Sequence, residues 1–239
     1  GEHISDRMIH SSSSFSEPHI EKLAKLPWDA PINPRYLEVS FGNNCNYRCG
    51  YCSPQASTMW MDEIKKHGNY DLTYNQYGIE FLENGTYYGP KDENPYIEAF
   101  WKWWPELRKT LNIMRITGGE PTLHKSTWQI LDSIESDPMP WLELNINSNL
   151  GTKPVLIERL AEKVKKLTDE GKIKSFKLFT SMDTWGERAE YIRTGLDLEL
   201  WEQNFHTYLK NTNSPVTFMI TFNIFSVTTF KSLLEKFLE

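Results

Sequence analysis

Cysteine is scarce in this sequence and confined to one place: three residues, Cys45, Cys49 and Cys52, in a single loop. No thiol is left elsewhere for a disulfide framework, and bridges between such close neighbours would strain the loop. Long apolar runs are missing too; none approaches the roughly 20 residues of a membrane-spanning helix. The first residues, Gly1-Glu2-His3-Ile4-Ser5-Asp6, lack the apolar stretch of a signal peptide. There is no basic excess: the net charge is −6, which weighs against nucleic acid as a partner. No repeat of fixed period occurs. Clustered thiols without a secretory signal predict a reducing compartment, the cytoplasm, and no membrane association.

What remains is an ordinary globular composition. With 239 residues, 39% hydrophobic and 24% charged, the chain can bury a sizeable core in one large or two small domains. Residues 1–34 read as an extension or linker. Ser11–Ser14 is a polar run, Pro18–Leu26 has spacing for two helical turns, and Pro27, Pro31 and Pro34 break regular structure. From Arg35 strands and helices alternate. Strands are predicted at Tyr36–Phe41, Asn112–Thr117, Trp141–Ser148, Ser175–Ser181 and Val216–Asn223. Helices are predicted at Pro95–Leu111, from a Ser126 cap through Ile134, at Val155–Leu167 and Leu198–Leu209, and from Thr229 to Glu239. Gly68, Gly78, Gly85, Gly89 and Pro90 mark an irregular insertion at about 68–94. The many aromatics between Trp60 and Trp104 suit either a packed subdomain core or an aromatic substrate mouth, and the length of the insertion predicts a lid or wall over the substrate opening.

This alternation implies parallel strands with right-handed crossovers, an α/β barrel or open sheet. The strands are not the continuous apolar runs usual in parallel sheets. Glu38 and Ser40 oppose Leu37, Val39 and Phe41; Arg115 and Thr117 oppose Met114 and Ile116. Glu143, Asn145, Asn147 and Asn149 oppose Leu142, Leu144 and Ile146. Lys177, Ser181 and Asp183 form the polar side of the fourth strand, and Thr217, Thr221 and Asn223 that of the fifth. Apolar faces can pack against helices. The polar faces then line something wet, because buried unpaired polar groups are costly. A partial TIM-like barrel with a polar lumen accounts for all five.

The chemistry concentrates in Asn44-Cys45-Asn46-Tyr47-Arg48-Cys49-Gly50-Tyr51-Cys52. Three soft thiolates can hold three corners of an iron–sulfur cube and leave one iron open to a cofactor. A structural zinc site is the alternative, with His67 as fourth ligand at an unusual spacing. The second strand ends in Gly118-Gly119-Glu120-Pro121. There the glycine pair permits close backbone approach, while carbonyls and a carboxylate are free to accept from an ammonium group.

Together the C-x3-C-x2-C loop and the GGE turn resemble the radical S-adenosylmethionine (SAM) superfamily, from about Arg35 to Glu239. The likeness is greatest to the radical SAM core of SPASM or twitch-domain-containing proteins. It implies a [4Fe–4S] cluster on Cys45, Cys49 and Cys52. It also implies SAM contacts from Gly118, Gly119, Glu120 and Pro121, from Asn147 and Asn149 after the third strand, and from Ser181 and Asp183 after the fourth. In Tyr191-Ile192-Arg193-Thr194-Gly195, which resembles a Tyr-Ile-Arg-Gly motif, Arg193 is implied to reach the SAM carboxylate, with Thr194 as an extra residue. Tyr51 matches the aromatic on the adenine side, and Asn223 falls where relatives contact the cofactor. Glu38, Lys177 and Asp183 face the predicted lumen toward substrate.

The implied activity is reductive cleavage of SAM to a 5′-deoxyadenosyl radical that abstracts hydrogen from a substrate, by the subgroup's habit a peptide. A flavodoxin- or ferredoxin-like electron donor is implied. No cysteine remains for a twitch module within the sequence. Such cores generally hold six strand–helix units and five are visible, so the sequence reads as a C-terminally incomplete core with its fifth strand as an open edge. An electron-transfer or sensing module, and a barrel that binds without catalysis, are the competing classes.

Overall fold

The computed structural model describes residues 17–71, 77–85 and 93–238. The chain begins with α1 (Glu17–Leu23), β1 (Tyr36–Ser40), β2 (Arg48–Cys49), α2 (Thr58–His67), α3 (Ile79–Asn84) and α4 (Pro95–Leu107). It continues through β3 (Ile113–Thr117), a 3-10 turn (Pro121–Leu123), α5 (Lys125–Ser136), β4 (Met139–Ser148), α6 (Pro154–Asp169) and β5 (Ile173–Ser181). Last come α7 (Glu187–Ile192), β6 (Arg193–Thr194), α8 (Leu198–Asn211), β7 (Val216–Met219) and α9 (Phe230–Lys236).

The apolar face of each strand drives assembly. Met114, Ile116, Leu142, Leu144, Ile146, Phe176 and Leu178 are all buried, while the alternating residues stay partly open. Helix α6 contributes Ile157, Leu160, Ala161, Val164 and Leu167 to the same core. Each large aliphatic side chain buried there is worth about 1.5–3 kcal/mol. The result is one parallel sheet in the order β1-β3-β4-β5-β7, as the alternation predicts, with β1 and β7 as its edges among the described residues. The sheet curls: Arg115 Nη2 reaches to 4.0 Å from Met219 Sδ although β4 and β5 lie between their strands. This is a partial barrel with a polar inner face.

Several boundaries differ from those predicted, each for a local reason. The fifth strand stops at Met219 and does not reach Asn223, because the Thr221 N–H donates to Asp183 Oδ1 (2.8 Å) instead of a neighbouring strand. Helix α4 ends at Leu107, before the predicted Leu111, since the Asn112 and Ile113 N–H groups already bond the Arg35 carbonyl beside β1. Helix α5 is capped by His124, not Ser126; His124 Nδ1 accepts from the Ser126 N–H. Strand β4 starts earlier, at Met139, with a register shift before Glu143 where Pro140 has no N–H to give. One aromatic, Phe179, interrupts the polar face of β5.

Part of the 68–94 insertion, 72–76 and 86–92, lies outside the described residues. Of the rest, the Tyr70 ring meets Trp60 (6.3 Å) and its hydroxyl donates to Glu63.

Candidate active site

The cysteine loop is held to the strand ends by backbone bonds that need no cofactor. The Gly119 N–H donates to Gly42 O and the Glu120 N–H to Asn44 O (2.7 Å). A Cβ on Gly119 would lie 2.4 Å from Asn44 O, so this contact requires glycine. The N-terminus of α2 supplies further ties: Ser57 Oγ donates to Tyr47 O, Thr58 Oγ1 accepts from the Cys45 N–H, and Trp60 Nε1 donates to Cys49 O.

From the other side β6 pairs antiparallel with β2, setting Arg193 opposite Cys49 and Thr194 opposite Arg48. Thr194, the residue that extends the Tyr-Ile-Arg-Gly motif, therefore has a pairing position of its own. Gly195 (φ 103°) follows it, and a Cβ there would meet Asn46 O at 2.7 Å.

These constraints bring all three thiols to one cavity of about 240 Å³. Gly118, Gly119, Asn147, Asn149, Ser181, Arg193 and Tyr51 line it with them, which unites seven of the eleven predicted cofactor residues. Sequence reasoning missed four further lining residues: Tyr47, Ala56, Thr117 and Ser148. Thr117 was legible on the polar face of β3. Tyr47 was not, because its place depends on Gly151, where any Cβ would collide with the phenol.

Four predicted residues do not line the cavity. Pro121 is buried in the 3-10 turn. Asn223 organises its own turn, accepting from the Phe225 N–H and donating to Thr221 O. Asp183 lies behind Arg193. Its Oδ1 accepts from Arg193 Nη2 (3.1 Å), its Oδ2 accepts from the Tyr51 hydroxyl (2.6 Å), and Arg193 Nε sits 3.0 Å from Oδ2 outside hydrogen-bond alignment.

Glu120 departs furthest from expectation. Its carboxylate is not free. Oε1 accepts from the Thr122 N–H (3.0 Å), the Thr122 hydroxyl (2.7 Å) and the Ser148 hydroxyl (2.9 Å), and Oε2 accepts from the Asn149 N–H (2.6 Å). Three donors crowd Oε1, while Oε2, with one, keeps a single lone pair. The group staples the end of β3 to the end of β4. Burial pushes its pKa up, and the same donors pull it back.

Electrostatics around the thiols have a consistent sign. Burial pushes Cys45 up to about 12 and Cys49 up to about 11, and Cys52 is raised for the same reason. Arg193 opposes this at Cys49, with Nη1 3.7 Å from the sulfur. Such thiols give up protons readily only to bound cations. The zinc alternative lacks its fourth ligand: His67 does not line the cavity and lies 4.0 Å from Glu63. The cavity lining contains no fourth Cys, His, Asp or Glu. Three separate soft donors around one space suit a cluster with a free corner.

Comparison with known proteins agrees. Over 131 residues the chain is 26% identical to a probable GTP 3',8-cyclase of Methanocaldococcus jannaschii, a match covering 55% of this chain and 32% of that protein. In fold it is similar to Streptococcus suis SuiB bound to S-adenosylmethionine (TM-score 0.55, 15% identity, 98% of this chain and 44% of that one). It is similar also to SuiB bound to the precursor peptide SuiA (TM-score 0.54, 14% identity, 98% and 42%). The chain thus spans less than half the length of the proteins it matches. A family model described as the radical SAM superfamily matches residues 39–235, and the chain, with its three-cysteine loop at the open end of a partial barrel, belongs to that superfamily.

Proposed function

We propose that this chain carries out reductive cleavage of SAM on a [4Fe–4S] cluster and directs the product radical to a peptide. The observation that carries the reading is the single cavity in which three thiols, two glycines and a set of neutral polar side chains meet without a fourth protein ligand. When bound, the cluster and SAM supply one-electron cleavage of the sulfonium and a carbon radical able to remove hydrogen. The protein's part is to bind, orient and shield.

Cys45, Cys49 and Cys52 would hold the cluster. Gly118 and Gly119 let backbone approach without Cβ interference, and Asn147, Asn149 and Ser181 offer neutral donors and acceptors to a zwitterionic ligand. Arg193, neutralised by Asp183, keeps a guanidinium face beside Cys49, where negative charge gathers once thiols ionise. Tyr51 lies against that guanidinium, 5.5 Å from ring to carbon, and is tied by its hydroxyl to Asp183. We read the insertion near Tyr70 as a wall beside this mouth, since Tyr70 shares a second cavity, about 380 Å³, with Tyr51. A peptide substrate is supported by the likeness to SuiB in complex with its precursor peptide.

The rival reading, an electron-transfer or sensing cluster, requires a fourth protein ligand and no cofactor pocket; the lining favours the first. Anaerobic reconstitution followed by reduction in the presence of SAM separates them. The expected product is 5′-deoxyadenosine. A reduced cluster that releases none would overturn the proposal.

A further inference from the structure

Below the cofactor cavity the inner face of the sheet carries a second layer of side chains that the cofactor chemistry does not use. Register places Glu38 beside Arg115, Arg115 beside Asn145, and Asn145 beside Lys177. Two residues further along each strand come Thr117 and Asn147, which line the cofactor cavity. Two strand residues span about 6.6 Å. The layers are joined: Arg115 Nε donates to Asn147 Oδ1 (3.0 Å).

A cavity of about 280 Å³ extends from Arg115 and Lys177 toward the N-terminal strand ends, where Tyr36, Glu143 and Ser175 also line it. It has room for an amino-acid side chain. Its cations are poorly matched. The Arg115 guanidinium carbon lies 4.4 Å, and Lys177 Nζ 5.8 Å, from the centroid of the same Phe179 ring. Glu38 Oε2 is a distant 3.8 Å from Arg115 Nη1 and also accepts from the Tyr36 hydroxyl. Glu143, the other nearby acid, is taken by Lys174 at 2.6 Å. Lys177 forms no ion pair among the described residues. Two like charges on one ring, with one loosely held carboxylate on the far side of Arg115, leave the layer one positive charge in excess.

We propose, resting on the peptide reading above, that Arg115 and Lys177 form a carboxylate-binding site for an acidic group of the substrate. Arg115 would give up only long Nη contacts, to Glu38 (3.8 Å) and Met219 Sδ (4.0 Å), to take a planar carboxylate, and Lys177 supplies a mobile point charge. A single excess charge matches a monoanion. A polyphosphate would bring several negative charges against Glu38 and Glu143.

The test uses the reconstituted full chain, immobilised without oxygen in the presence of SAM, and three pools of acetylated random hexapeptides. One pool has a fixed internal glutamate and an amidated C-terminus. The second has glutamine in its place, also amidated. The third has glutamine and a free C-terminal carboxylate. Retention is read by mass spectrometry. At least one carboxylate pool should be retained about tenfold over the glutamine amide pool, as a charge-assisted contact warrants, and which one identifies the source. Lys177→Gln and Arg115→Gln should each abolish the preference. Lys165→Gln, which removes a lysine paired with Asp169 on the outer side of α6, should keep it. Equal retention of all pools by the parent chain, or a preference that survives Lys177→Gln, overturns the site. SAM titration of the parent is measured separately. A parent that binds SAM but does not discriminate sinks this inference alone, whereas one that binds no SAM sinks the functional reading itself.

Discussion

At the scale of single residues, the site depends on contacts that admit no substitution. Glu120 is the clearest case. A carboxylate serving only as a ligand contact would leave ligand-free stability unchanged when removed. One that accepts four internal hydrogen bonds would not. Glu120→Ala should therefore lose about 3 kcal/mol in urea unfolding of the cofactor-free chain, because buried donors are left unsatisfied. Unchanged unfolding would return Glu120 to a purely ligand-binding role. Gly119→Ala acts on the neighbouring contact. Its methyl would push on Asn44 O and Asn43 O, backbone atoms that cannot rotate away. The expected outcome is a chain that folds but takes up little iron on reconstitution, read by iron analysis and visible absorbance. Cys49→Ala should lose the absorbance outright.

At the scale of elements, pairs of short segments fix what long ones only frame. The two-residue β2–β6 ladder sets Arg193 against Cys49, and no residue propensity over two positions could have announced it. Helices α5 and α6 are joined by charge: Glu135 pairs with Lys163 and Lys166, and Lys163 also reaches Asp132 (2.8 Å). The lysine hydrogen bonds hold the Glu135 carboxyl down to about 2. Its folded value is below its unfolded one, near 4.3, so the stabilisation is complete above the unfolded value and is lost as pH falls through about 2. After solvent screening it amounts to about 1 kcal/mol. Urea midpoints for the parent and Glu135→Gln should differ at pH 6 and converge toward pH 2. A constant gap would show that the lysines do not act through this carboxylate.

At the scale of the whole molecule, the closed core and the cofactor end are separate in stability. The centre of the sheet is dry and fully packed, with Leu144, Ile146, Leu160 and Val164 wholly buried. The cysteine loop rests on a few backbone bonds around a polar cavity. Removing iron with a chelator should therefore raise amide hydrogen exchange at residues 43–58 and 191–195 while β4 and α6 remain protected. Uniform deprotection would mean that the cluster holds up the entire fold. No helix among the described residues is long and apolar enough to cross a membrane.

The sequence by itself determined the kind of fold and the kind of centre. Period-2 alternation between helical stretches is a local property, so five parallel strands with a polar inner face could be read from residues such as Arg115, Asn145 and Lys177 before any coordinates. Three thiols in one loop limit the metal chemistry through donor type and count alone. Tertiary structure decided which side chains meet. Asp183 took the Thr221 N–H and ended β7 early, so Asn223 fell outside the cavity that its position suggested. Glu120 turned to the Thr122, Ser148 and Asn149 donors, because a buried carboxylate must be satisfied wherever the nearest donors stand. Lys177 meets the Phe179 ring as its same-face neighbour on β5, whereas Arg115 reaches that ring across β4 because the sheet curls, and curvature belongs to the assembled strands.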